Sequence, residues 1–564
     1  MYEGEKEMLY PKSNHKRRVY NLNGIWDFQV LKDEYCPMQK LEKAQPMAVP
    51  ASYNDIVADK EIMDHVGEVV YERFFSIPVA EGELYRLRIG SASHKCRIYL
   101  NGKMIGEGKN GHLPVECALE DLQEENRLSV VVDNRLSFQT LPPGMIEDGK
   151  QIYNHDFYNF TGIHRDVCVY TIPEEHIEDI VIQTVVDGDY SKVKVELTGT
   201  NHNPVYTVSD AEGHVVVEST SNVFQIPNVQ LWCPKNPYLY TLKVKTDTDY
   251  YEESFGVRKV EVRGKEFLLN DEPIYLKGFG MHEDFWVLGK GISSAVNIAN
   301  FERLKWIGAN SVRTSHYPYS EEFMYLADRY GILVIDEVPA VGMNWWEGGN
   351  FTPDRLNEKT MELHKDLLTD LVARDKNHPC VIMLSVANEA ATFEAASRPY
   401  FEGVISHARS LTNWPIICVE HTEFSMGYVI GDLVDVIGLN RYHGWYENNG
   451  DLGVIIHMFK DEMEQFYEKF GKPILIAEFG ADTVEGVHSL VHETFSEEFQ
   501  VEYLKECQKA FAECDFCIGE HVWNFADFKT KQGIIRVRGN RKGVFTKERQ
   551  PKMAAHYLRT CWKE

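Results

Sequence analysis

The sequence lacks any apolar run near the roughly 18 residues that a membrane-spanning helix needs. Its N-terminal stretch, MYEGEKEMLYPKSNHKRR, carries acidic groups and no apolar core of the kind a signal peptide requires. Neither a membrane span nor an export signal is expected. Positive charge is also short: 59 Lys and Arg against 86 Asp and Glu leave a formal charge of -27, a field that repels phosphate. Nucleic acid and anionic membranes are therefore not expected as partners. Cysteine has no organised pattern, since the 11 cysteines are an odd number scattered from Cys36 to Cys561, and the nearest pair, Cys514 and Cys517, has no second pair to complete a zinc site. Free thiols in a reducing cytoplasm are expected. Absent too are GxSxG, the phosphate-cradling GxxxxGK[ST], HExxH and the Asp/Asn ladder of a calcium loop.

What is present divides by the grammar of its apolar residues. From Tyr20 to about Ile172, short alternating runs broken by turn residues (GIWDFQV, VVYERFFSI, CRIYLNGKMIGEG, RLSVVVDN) read as an all-β sandwich. A second β block, Pro173 to Arg263, has the size of an immunoglobulin-like sandwich. Neither block repeats with a fixed period. Beyond Arg263, apolar strands alternate with amphipathic stretches such as IANFERLKWIG and EEFMYLADRYG, each closing on a Gly that stops a helix. Candidate strands begin near Ile274, Asn310, Ile332, Val381, Ile416, Val436, Ile474 and Ile518. Eight strands over about 300 residues fit a closed (β/α)8 TIM barrel better than an open sheet. The expected division is 1–172, 173–263 and 264–564, with no further module after the barrel.

In such a barrel the polar groups that end strands face a common pocket. That rule selects Glu389, Glu420, Glu478, Glu520 and Asp527 among the 86 acidic residues. A carboxylate closing a buried apolar strand is costly unless it is paired or used, and two facing one cleft make the arrangement glycoside hydrolysis needs. Strand ends also carry carboxylates that only hold neighbouring Arg residues. Context matters more than dipeptide: Asn388-Glu389 follows VIMLSVA, whereas Asn357-Glu358 follows PDRL in a polar helical stretch. A metal mechanism is the rival, because His282, His316, His421 and His443 follow different strands and could converge, although hydrogen-bonding rim positions are their more usual role.

The segments RDKNHPCVIMLSVANE (374–389), IGLNRYHGWY (437–446), ILIAEFGADT (474–483) and HVWNFADF (521–528), with NHDFYNFTGIHRDV (154–167) upstream, resemble the β-glucuronidase branch of glycoside hydrolase family 2. The resemblance implies a jelly-roll sugar-binding-like domain, an immunoglobulin-like domain and a catalytic barrel. It implies retaining hydrolysis of β-D-glucuronides by two glutamates, Glu389 as acid/base and Glu478 as nucleophile, with no metal and no cofactor. Asn388 would bond the sugar 2-hydroxyl, Tyr442 and Tyr446 would flank the nucleophile, and Trp523 would form part of the sugar platform. Asp156 would reach in from the first domain to a ring hydroxyl, with His282, His316 and Asn440 as further substrate-binding neighbours. The sequence departs from the pattern at Ala390, where the family often has Pro, and in the short segment 342–360.

One local reversal of charge bears on the sugar. Between Lys529 and Lys552 nine Lys and Arg residues meet a single acid, Glu548. A nucleic-acid patch is the alternative, but the segment follows Trp523 and contains Asn540 and Lys542, which match the Asn-x-Lys element by which glucuronidases hold a C6 carboxylate, and Arg536, which matches the arginine beside it. A small-molecule or oligosaccharide glucuronide is therefore the expected partner of a cytoplasmic homo-oligomer. A β-galacturonidase or β-galactosidase on the same scaffold, and a carbohydrate-binding protein without turnover, are the competing readings.

Overall fold

The computed structural model of the chain describes residues 9–199, 202–345 and 348–563. Residues 1–8 of the N-terminal stretch, and Trp346 and Glu347 of the short segment 342–360, lie outside that description.

Two-residue turns set the first layer. Asn101 and Gly102, at φ 51° and 87°, join Lys95–Leu100 to Lys103–Gly108. A right-twisted hairpin favours this primed turn, and Asn-Gly adopts it at little cost. Asp148-Gly149, at φ 49° and 72°, makes the equivalent turn between Gly144–Glu147 and Lys150–Tyr153. That second hairpin matters for function, because its last strand runs directly into Asn154, His155 and Asp156. The domain is built on a four-stranded and a six-stranded antiparallel sheet, with a small three-stranded sheet (Ala51–Ser52, Gly162–Ile163, Ala92–Ser93) beside them. Between the two larger sheets lies a core that includes Trp26, Phe28, Tyr71, Leu87, Ile89, Val130 and Val169.

The second sandwich stacks a three-stranded sheet (Ile177–Asp187, Tyr190–Gly199, Val223–Pro227) on a four-stranded one. The first described residues belong with it. Leu9 enters its core, Asn14 donates to the Tyr250 carbonyl, and buried Arg17 grips Asp249 and the Ile177 carbonyl. The change of sequence grammar at Arg263 falls inside a hairpin, Val260–Arg263 with Glu266–Leu269, whose Phe267 and Leu269 pack into the barrel core.

Eight parallel strands then close a barrel in sequence order: Leu276–Gly280, Ser311–Arg313, Leu333–Glu337, Val381–Asn388, Ile416–Glu420, Val436–Asn440, Ile474–Phe479 and Cys517–Val522. Helix ends follow the expected punctuation. Gly308 and Gly331 stop Ser294–Ile307 and Glu321–Tyr330 in the left-handed conformation, and the Ser320 side chain caps the latter by accepting from the Phe323 N–H. Asn357 proves to be the capping residue of Glu358–Asp375, which explains an Asn-Glu pair with no strand before it.

A buried stack of rings joins the first sandwich to the barrel mouth. Tyr153, His155 and Phe157 stack at 4.3 and 4.1 Å, and His112 lies flat on Tyr317 at 4.8 Å. The Lys290 ammonium sits 3.5 Å from the centre of the Tyr317 ring. Burial, and then the charge of Lys290, hold His112, His155 and His164 well below the ordinary imidazole range, while burial takes His94 down to about 4. Burial also lowers Lys290 to about 7. An unfolded chain protonates these imidazoles near pH 6.5, whereas the folded chain does so only at lower pH. The unfolded state therefore binds more protons between about 6.5 and about 4, and stability falls as pH drops through that window. Thermal unfolding at about pH 5 should come several degrees below that at about pH 7. His112→Phe, which keeps a ring on Tyr317, should make the dependence shallower, and a Tm that ignores pH over this range would contradict the account.

Candidate active site

The strand-end carboxylates separate once their surroundings are visible. Glu420 is fully buried, bonded by the Thr392 hydroxyl and the Cys418 thiol, and burial pushes it up to about 8. Glu520 accepts from Gln508 and the Trp562 indole, and burial raises it to about 7. Asp527 is held by Lys552 at 2.8 Å and Arg541 at 3.1 Å. These three are structural. Glu389 and Glu478 instead line one cavity at the barrel mouth, together with Asn388, His316, Trp523, Tyr442 and Tyr446. Its volume, about 210 Å³, is smaller than the about 300–1,000 Å³ of sites that enclose drug-sized ligands. That space suits a single sugar ring whose substituent extends toward solvent.

Glu478 is the penultimate residue of strand seven and is 4% exposed. Its Oε1 accepts from Arg313 Nη2 at 2.5 Å and its Oε2 from the Tyr442 hydroxyl at 2.7 Å. Burial raises its proton affinity, and Arg313 and then His316 oppose that rise. Arg313 itself has no exposed surface; its Nη1 reaches both oxygens of Glu337, at 2.9 and 2.7 Å, and the Asn388 carbonyl at 3.2 Å. Burial works against an ionised Glu337, but Arg313, His316 and Ser385 together keep it below the usual carboxylate range. Glu389 follows strand four at φ 53°, a left-handed conformation uncommon for a residue with a side chain, and its Oε1 accepts from Asn440 at 2.8 Å. Asn440 also bonds the Asn388 carbonyl at 3.1 Å. Asn388 thus spends its oxygen on Arg313 and Asn440, which leaves its amide hydrogens for a ligand.

Asp156, from the first sandwich, lines the same cavity. Its two oxygens accept from Arg536 Nε at 3.0 Å and Asn540 Nδ2 at 2.9 Å, both on the loop after strand eight. The arm that carries it is zipped to that loop: Tyr158 N–H donates to the Lys529 carbonyl, and Lys531 Nζ to the Tyr153 carbonyl at 2.8 Å. Most of the local excess of cations is spent on carboxylates from elsewhere. Lys529 and Lys547 meet Asp55, Arg541 and Lys552 meet Asp527, Lys542 meets Asp482, and Arg536 meets Asp156. The segment is a latch between loops, and few of its charges are left to form a patch.

Three family descriptions match the chain: glycosyl hydrolases family 2, sugar binding domain, over residues 19–173; glycosyl hydrolases family 2 over 166–258; and glycosyl hydrolases family 2, TIM barrel domain, over 260–564. The chain belongs to glycosyl hydrolases family 2. Among its relatives, a beta-glucuronidase of Paenibacillus borealis is 43% identical over 588 residues, covering 99% of each chain. A solved beta-glucuronidase from an uncultured Clostridium sp. superposes with TM-score 0.96 at 45% identity, over 99% of this chain and 100% of that one. A Ruminococcus gnavus b-glucuronidase in complex with uronic isofagomine gives TM-score 0.94 at 36% identity, over 99% and 100%.

Within this family 2 site, three of the residues singled out from sequence, Asn440, His282 and Lys542, stand off the cavity wall. His282 packs behind it against Trp523 and Phe528, with its Nδ1 3.0 Å from the Tyr317 hydroxyl. Lys542 is fully buried and reaches the cavity through Tyr446, whose hydroxyl accepts from its Nζ at 2.7 Å. The four single histidines do not gather into one cluster: His282 and His316 meet ring to ring at 5.6 Å, but His316 bonds Glu337, His421 bonds Asn344, and His443 bonds Glu447 and Glu462. Sequence reasoning passed over Arg313, Glu337 and Asp482. An Arg inside the buried strand run NSVRTSH was the available signal, since a buried guanidinium demands anions around it. Replacing Arg313 by Met should destabilise the protein by about 3–5 kcal/mol, the usual consequence of stranding buried partners. It should also move the acid limb of the kcat/KM profile to higher pH, because Glu478 loses the cation that favours its ionised form. Unaltered stability together with an unmoved limb would contradict this assignment.

Proposed function

We propose that the chain is a retaining β-glucuronidase, releasing D-glucuronate from alcohol or phenol glucuronides. One observation carries the reading: the two strand-end carboxylates that line the cavity share its wall with the guanidinium and amide donors of Arg536 and Asn540. A sugar bearing a carboxylate needs such donors. The beta-glucuronidase relatives, and the uronic inhibitor bound by one of them, support it.

In this reading Glu478 attacks the anomeric carbon while Glu389 protonates the departing glycosidic oxygen, so one C–O bond forms as another breaks. Glu389, now ionised, takes a proton from water, whose oxygen displaces Glu478 and releases the sugar with the β configuration retained. The mechanism requires the two carboxyl groups to stand about 5–5.5 Å apart. Arg313 and Tyr442 favour the ionised nucleophile, and Asn388 holds the 2-hydroxyl with its spare amide hydrogens. Asp156 takes a ring hydroxyl, Trp523, stacked on His316 at 5.1 Å, supplies the sugar platform, and Arg536, Asn540 and Lys542 with Tyr446 serve the acid group. A cytoplasmic homo-oligomer acting without nucleic acid or membrane completes the proposal. All eleven cysteines are free, and no described helix is long and apolar enough to cross a membrane.

Glu478→Gln should abolish turnover, and a normal rate in that variant would sink the mechanism. Glu389→Ala should cost alkyl glucuronides about 10²–10⁴-fold while sparing nitrophenyl glucuronides much of that loss, and equal losses would contradict the acid role. On specificity, sites built around a charged or hydrogen-bonded group reject analogues lacking it by about 10⁴–10⁵. A preference of that order for nitrophenyl glucuronide over glucoside and galactoside, which lack the carboxylate, is expected, and Asn540→Ala should erode it.

A further inference from the structure

Lys542 has no solvent exposure, and a buried ammonium is costly unless it is paired. The pairing comes from Asp482, four positions past Glu478 and itself 2% exposed. Asp482 Oδ2 accepts from Lys542 Nζ, and Oδ1 accepts from the Arg541 backbone N–H at 2.8 Å. One carboxylate therefore grips both the backbone of the 540–542 turn and the end of the side chain that the turn carries. A further bond of Lys542 Nζ goes to the Tyr446 hydroxyl at 2.7 Å, which also accepts from Arg536 Nη2 at 2.8 Å. A phenolic oxygen has two acceptor sites and one proton. Both acceptor sites are taken by cations, so the proton has no role left except donation, and Tyr446 lines the cavity beside Asn540 and Arg536.

We propose that Asp482 is the positioning residue of acid recognition: by holding Lys542 against the Tyr446 hydroxyl, it fixes that hydroxyl as a donor to the C6 carboxylate of the substrate. The proposal rests on the glucuronide reading above. It also separates two carboxylates that share Arg536, which stands 3.0 Å from Asp156 and 3.7 Å from Asp482. Asp156 has a side chain 36% exposed and can yield its bonds to an arriving carboxylate, whereas Asp482, at 4%, is locked. The turn has other supports, since the Lys542 carbonyl accepts from Gln500 Nε2 and the Asn524 N–H, and the Arg541 carbonyl from the Thr483 N–H and Lys552. Removing the charge of Asp482 therefore does not remove the seat of the turn.

The test compares nitrophenyl β-glucuronide with nitrophenyl β-glucoside in wild type, Asp482→Asn, Tyr446→Phe and the double variant. Asp482→Asn keeps an acceptor for the Arg541 N–H and loses the anion. The glucuronide-to-glucoside ratio of kcat/KM should fall about 10–100-fold, the range of one charge-assisted bond. Binding of uronic isofagomine should weaken by a similar factor relative to isofagomine. Tyr446→Phe should cause a comparable fall, and the double variant should lose little more than either single change, because both break the same chain. Equal fractional losses on both substrates would mark Asp482 as merely structural and overturn the proposal, as would an unchanged ratio. If Asp482→Asn does not fold, an unchanged ratio in Tyr446→Phe overturns it alone. A wild-type enzyme with no preference for the glucuronide would instead overturn the glucuronide reading, and the proposal with it.

Discussion

A single guanidinium with no access to water organises the barrel mouth. Arg313 ends strand two, and its amino groups meet Glu337 from strand three, Asn388 from strand four and Glu478 from strand seven. Guanidinium stays charged at any ordinary pH and offers a rigid fork of donors, so it can tie buried carboxylates together where lysine could neutralise itself by losing a proton. The arrangement also divides labour between the acids. Glu337 is held ionised as a permanent counter-charge, and Glu478, with an upward pull from burial and a neighbouring Glu389, remains responsive to its surroundings. Four strands contribute to this one cluster, so the barrel must close for the charges to be balanced. Its interior is consequently specified by electrostatics as well as by packing.

The same dependence extends outward to the first sandwich. The Asp148-Gly149 hairpin sends residues 154–156 toward the cavity, the Tyr153–His155–Phe157 stack fills the space behind them, and the loop after strand eight closes over the arm. Asp156 then meets Arg536 and Asn540 from that loop. A carboxylate from one domain and a guanidinium from another thus neutralise each other. A ligand carrying its own negative charge can exchange with the more exposed member of this set, which links domain contact to substrate choice.

Much of this was legible in the sequence. The eight apolar runs, the Gly stops after IANFERLKWI and EEFMYLADRY, and the strand context of Glu389 and Glu478 are local patterns, and local patterns are what periods of 2 and 3.6 report. The order and spacing of motifs such as RDKNHPCVIMLSVANE and ILIAEFGADT carried the family. What stayed hidden was pairing. Alternation along a strand says which residues face inward, yet not what stands opposite: Arg313 and Glu478 are 165 residues apart, and Trp562 and Glu520 are 42. Glu420, Glu520 and Asp527 therefore looked equivalent to the cavity pair until Thr392, Trp562 and Lys552 were seen against them. The nine cations of 529–552 read as an open cluster because most of their carboxylate partners lie far away in the chain. Residues 9–18 could not be assigned to the second sandwich from their own composition, since Arg17 is held by Asp249, 232 residues further along the chain. Sequence determined the elements and the candidate acids because those depend on near neighbours. The tertiary structure decided which charges are satisfied and which remain for chemistry, because that depends on groups brought together only by closure of the barrel and docking of the arm.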